Sequence, residues 1–169
     1  PDVLVETDNL LVAIECKFFE PHRGCSKAAF SDTYWRDVWG NEMRGFQEVR
    51  DLLRDQTFAF SPLDAAQLVK HALGLFTAYR REEAVPKRRP LLIYLYAEPS
   101  KWPDGRTIEG KSHEAHRAAI ARFSERVSGD VVMFRTLTYA SLFADWGRDA
   151  ALSPHVEAVR ATYPMIPCA

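Results

Sequence analysis

The chain has 169 residues, 47% hydrophobic and 27% charged, with 22 basic against 23 acidic side chains and a formal net charge of −1. That length and apolar content suit a single domain with a sizeable core. No apolar run approaches the roughly 20 residues of a membrane span, three cysteines (Cys16, Cys25, Cys168) show neither an even count nor zinc-ligand spacing, and the balanced charge offers no obvious basic face for nucleic acid; a soluble, reduced, cytoplasmic protein is expected.

In chain order, Pro1–Glu20, PDVLVETDNLLVAIECKFFE, predicts a β-hairpin. Val3–Val5 lead into a turn at Thr7-Asp8-Asn9-Leu10, and Leu11–Phe19 is apolar except for Glu15 and Lys17. The chain starts inside the first strand, so one or more elements are expected before Pro1. Ser31 or Asp32 opens a helix to about Asp55, with Trp35, Val38, Trp39, Met43, Phe46, Val49, Leu52 and Leu53 as its apolar stripe. Gly40 and Gly45 are its weak points, and Arg36, Arg44, Arg50 and Arg54 read as a solvated face. Ser61 caps a second helix, Pro62–Arg81, that buries Leu68, Leu73, Leu75, Phe76 and Tyr79 and carries Gln67, His71, Gly74 and Ala78 on another stripe. A charged linker follows, ending in the densest basic cluster of the chain, Lys87, Arg88 and Arg89.

Leu91–Ala97 is apolar throughout, as a central strand covered on both faces should be. Residues 101–111 form a turn-rich loop bearing Trp102 and Arg106. Ser112–Val127 is a helix with Ala115, Ala119, Ile120 and Phe123 inward. Its His113 and His116 are three apart, whereas a zinc-protease helix spaces them by four. Val131–Leu137 is a strand, Thr138 caps a helix from Tyr139 to about Trp146, and Ser153-Pro154 begins a last helix to about Thr162. The order β-β-α-α-β-α-β-α-α predicts an α/β fold, a mixed central sheet flanked by helices.

The chemistry concentrates in the hairpin. With Asp8 and Asn9 as loop residues, Leu4 faces Ala13 and Asp2 faces Glu15, while alternation puts Lys17 on the same face. Directly opposed residues have Cβ atoms about 5 Å apart. Two carboxylates so placed repel unless a cation lies between them, and Mg²⁺ takes one or two carboxylates while filling its remaining positions with water and phosphate oxygens.

Pro1-Asp2, a spacer of twelve residues, and Glu15-Cys16-Lys17 resemble the PD-(D/E)xK pattern of the restriction-endonuclease-like nuclease superfamily, strand-turn-strand context included. The resemblance implies that fold and a magnesium-dependent endonuclease acting on DNA. Asp2, Glu15 and the main-chain carbonyl of Cys16 would hold Mg²⁺, with Mn²⁺ as a substitute, and Lys17 would position the attacking water and stabilise the transition state. A helix after the hairpin, here QLVKHALG, would turn Gln67 toward the site, with His71 read more simply as a boundary histidine. Lys70, Lys87, Arg88 and Arg89 would contact nucleic acid. QLVKHALG, LLIYLYAEP and the following EAHR look most like uncharacterised bacterial restriction-type endonucleases. The Cys16 side chain, on the opposite face, reads as core packing. The alternatives are a silent nuclease-like domain that binds nucleic acid or a protein partner, and an interaction module whose hairpin charges are incidental.

Overall fold

The computed structural model describes residues 1–23, 29–83 and 86–164, so Cys25 and Cys168 lie outside the described residues. β1 (Val3–Glu6) and β2 (Leu10–Lys17) form the expected antiparallel hairpin, with Leu4 paired to Ala13 and Val5 to Val12. The turn closes as Thr7 Oγ1 accepts the Leu10 N–H at 3.0 Å. β3 (Arg89–Tyr96) lies parallel to β2, and β4 (Met133–Thr138) parallel to β3, giving a mixed sheet in the order β1-β2-β3-β4. Among the described residues, five α-helices flank it: α1 (Arg44–Asp55), α2 (Ala65–Arg81), α3 (Gly110–Arg126), α4 (Tyr139–Trp146) and α5 (Ser153–Thr162). Among the described residues, no helix is long and apolar enough to cross a membrane.

Period-two alternation turns one face of the sheet into the main apolar core. Leu11, Ala13, Leu92, Tyr94 and Phe134 join the main core with Phe46, Val49, Leu68, Ala72, Phe76 and Phe123 from α1, α2 and α3. A smaller cluster forms around Phe143 of α4 and Val156 of α5, with Phe18 and Tyr139 packed against it.

Four expectations shift. The first long helix begins at Arg44; residues Asp32–Trp35 and Asn41–Met43 form only short 3-10 turns, and Gly40 between them sits at φ 64°, outside any helix. The N–H groups that open α1 are satisfied from a distance, because the Asp130 carboxylate accepts from Gly45 at 3.0 Å and Phe46 at 2.9 Å. Gly45 is required there, since a Cβ would run into the Arg126 carbonyl oxygen. Second, α2 begins at Ala65, capped by Asp64, which accepts the Gln67 N–H at 3.0 Å, while Ser61 makes no cap. Third, Arg50 is not solvated: it is 8% exposed and donates to the Tyr34 carbonyl at 2.7 Å. On α3 the inward position is His116, with Ala115 exposed.

Candidate active site

Glu15 stands near the end of β2, flanked by the hairpin partner on one side and Tyr94 of β3 on the other, and is 1% exposed. In open sheets with parallel strands, ligands bind beyond the carboxyl ends of those strands, and this is where β2 delivers its charges. Alternation carries Glu15 and Lys17 to the face covered by α2. There Lys17 Nζ lies 2.7 Å from Glu15 Oε1, and His71 Nε2 of α2 lies 2.8 Å from Oε2.

Burial by itself would push the Glu15 carboxyl up, but His71 and Lys17 outweigh it and hold the group below the ordinary glutamate value. The mirror case is Lys17: burial would lower it, yet its contact with Glu15, reinforced by Glu20 and Asp2, keeps it above the usual lysine value. Both groups are therefore charged at neutral pH. Both Glu15 oxygens are thus paired, Oε1 with the Lys17 ammonium and Oε2 with His71.

Asp2 reaches the same end of the hairpin, but its carboxylate grips the main chain. Its N–H donates to the Ile14 carbonyl at 3.0 Å, and its Oδ2 accepts the Cys16 N–H at 2.7 Å. Its charge is felt at Lys17. Among the described residues, no group of three His, Cys, Asp or Glu side chains is arranged as a ready metal cage. The half-buried Cys16 adjoins Tyr139 of α4, whose phenol is pushed up by burial and by Cys16.

Glu20, which the sequence reading left without a role, belongs here too. Its Oε2 accepts the Phe18 N–H at 2.8 Å. Burial would raise its carboxyl, but hydrogen bonds from the backbone and the charge of Lys17 bring it below the ordinary range. Its only sequence signal is an acid closing an apolar strand just after Glu15-Cys16-Lys17.

The other expected residues divide. Gln67 lies half-buried on α2 one turn before His71, and among the described residues its side chain makes no hydrogen bond; the contact with Glu15 comes from His71 instead. Lys70 places its ammonium 5.5 Å from the Phe30 ring centroid. Lys87 donates to the carbonyls of Tyr79 at 3.4 Å and Arg80 at 3.1 Å, closing the end of α2. Arg88 bridges Glu6 of β1 at 2.6 Å and Glu82 at 2.7 Å. Of that basic cluster, Lys87 and Arg89 are exposed and Arg88 is half-buried. Between the hairpin and α2 runs a cleft of about 360 Å³, lined by Leu4, Ala13, Lys70, His71, Gly74 and Arg88 among others.

A second polar cluster lies on the same side of the sheet. His22 Nδ1 and Ser112 Oγ are 2.8 Å apart, the His22 and His113 rings are 4.7 Å apart, and His116 Nε2 meets the Tyr94 hydroxyl at 3.0 Å. Burial and the neighbouring imidazoles push His116 down to about 4. Compared with family models, curated proteins and solved structures, the chain finds no match.

Proposed function

We propose that this chain is a metal-dependent nuclease of restriction-endonuclease-like fold, hydrolysing phosphodiester bonds of DNA in the bacterial cytoplasm. The observation that carries the reading is Glu15, an ionised carboxylate at 1% exposure with the Lys17 ammonium 2.7 Å away, placed at the carboxyl end of a parallel strand. Burying a charge costs several kcal/mol even when it is paired, and an apolar pair at these positions would extend the core formed by Leu11 and Ala13.

The chain's donors are of the kind a hard cation takes, although the Glu15 oxygens are already paired with Lys17 and His71, and an ion would have to share them. Glu15, Asp2 and the Cys16 carbonyl would hold the ion, which when bound supplies a lowered water pKa and neutralisation of developing charge. The part played by Lys17 is electrostatic: it remains protonated and stabilises negative charge accumulating on the phosphate. The low solvent access around Glu15 strengthens every such interaction.

A silent, binding-only domain is the second reading. It is favoured by Asp2, whose Oδ2 is already engaged by the Cys16 N–H. Plasmid nicking with Mg²⁺ or Mn²⁺, run beside calorimetric titration of the ion, decides between them. Glu15→Gln is expected to lose both ion binding and cleavage. Lys17→Ala is expected to keep the ion and cut about 10²-fold more slowly. A Lys17→Ala protein that cuts as fast as its parent removes the proposed mechanism, and ion binding without any cutting leaves the silent domain.

A further inference from the structure

We infer that the cleft between α2 and residues 33–39 holds the phosphate backbone of a nucleic-acid substrate, with Arg36 and Arg81 gripping it. This rests on the nuclease reading above and names the surface that carries the substrate's flank.

Two of the basic residues first expected to meet nucleic acid are engaged within the chain. Lys87 donates to the Tyr79 and Arg80 carbonyls, and Arg88 is held between Glu6 and Glu82. A chain of net charge −1 needs positive charge gathered in one place to hold a polyanion. A cleft of about 430 Å³ does this, since Arg36, Arg80 and Arg81 stand in its lining and no carboxylate does. Asp32 and Asp37 adjoin that wall in sequence, but neither lines the cleft. All three arginines are exposed. Arg80 donates to the Val38 carbonyl at 2.8 Å and so ties α2 to the opposite wall, where Trp39, 5% exposed, donates its indole N–H to Thr77 Oγ1 at 3.4 Å. Among the described residues Arg36 and Arg81 form no salt bridge, whereas Arg44, Arg117 and Arg148 each lie against a carboxylate. Guanidinium forks left open to solvent match phosphate oxygens bidentately.

Helical spacing links this cleft to the candidate site. Lys70, Thr77 and Arg81 are seven and four residues apart on α2, so they share one side of the helix. Lys70 lines the cleft that His71 also lines, and Arg81 lines this one. At 1.5 Å per residue the two cations stand about 16 Å apart along the axis. A nucleic-acid strand rises about 3.4 Å per nucleotide, so that interval spans about five phosphates. A small anion would meet one end of this path, whereas a polyanion meets both.

The test is fluorescence anisotropy of the whole chain with a labelled DNA duplex of about three helical turns, in EDTA, across a salt series. Arg36→Gln combined with Arg81→Gln is expected to weaken binding at least tenfold and to lower the slope of log affinity against log salt by about two, one for each lost phosphate contact. Both side chains are exposed, so the melting temperature should hold. Arg148→Gln, which removes a guanidinium already 2.8 Å from Asp145, should leave affinity and slope unchanged. Equal binding by the parent and the double variant, or no binding by either, overturns the assignment. ATP that binds as tightly as the duplex and is lost in the double variant makes the cleft a small-molecule site and overturns it too. Plasmid nicking separates this from the reading beneath it. A parent that binds through Arg36 and Arg81 but never nicks with Mg²⁺ or Mn²⁺ keeps the surface and removes the nuclease reading, while a nicking parent whose binding ignores both arginines does the reverse.

Discussion

Glu15 and His116 are both fully buried, and they set opposite ends of the acid response. Glu15 has a folded pKa below its ordinary 4.5, so its stabilising effect is complete above that value and is lost as pH falls through the lower folded value. His116 resists protonation in the folded state, titrating near 4 instead of 6.5, so the unfolded chain gains protons first and stability falls between those two values. The full span is worth roughly 3 kcal/mol. Urea unfolding between pH 7 and pH 4 should therefore show a declining free energy, and His116→Gln should flatten it; an unchanged slope in that variant would place the titrating group elsewhere. At this scale the sequence is half legible. Glu15 and Lys17 stand out because strand alternation allows only one face, and Asp2 follows from the turn. His71 was harder, because a helical stripe names Gln67 and His71 together and only docking of α2 decides which one arrives. The approach of His116 to Tyr94 and His22 is set by tertiary packing that no local pattern encodes.

The elements were predictable in kind and order, and least so where one element borrows from another. α1 starts at Arg44 because Asp130, just before β4, receives its first N–H groups, and a cap that distant leaves no local signature. Asp130→Ala should lower stability by about 1–2 kcal/mol, the usual loss for a removed cap. Asp130→Asn, which keeps one acceptor, should lose less, and equal effects would show that charge matters more than geometry. Gly45→Ala drives a methyl group into the backbone at the end of α3, where little can yield, and should cost at least the 1–3 kcal/mol typical of overpacking. By contrast, α4 matched its expected bounds because its cap is local: Thr138 Oγ1 accepts the Ser141 N–H at 3.0 Å.

Across the whole molecule, the sheet is best protected at β3, between two parallel neighbours, and least at β1, an edge strand whose Val3, Leu4 and Val5 are 43%, 56% and 40% exposed. Exposed apolar edges favour pairing with another chain. Sedimentation at rising concentration should show self-association of this chain, reduced by Val5→Lys with little change in melting temperature; a monomer at all concentrations would show that the short edge is harmless. The sheet also separates a motif from a site. A peptide spanning Pro1–Glu20 carries Asp2, Glu15 and Lys17 entire, but an isolated two-stranded hairpin is at best marginally stable in water, and it lacks both Tyr94 beside Glu15 and His71 above it. Such a peptide should titrate as ordinary solvated acids and bind neither Mn²⁺ nor Mg²⁺ measurably. The smallest unit able to carry the proposed chemistry thus extends from the hairpin through α2 to β3, several times the length of the pattern that announces it.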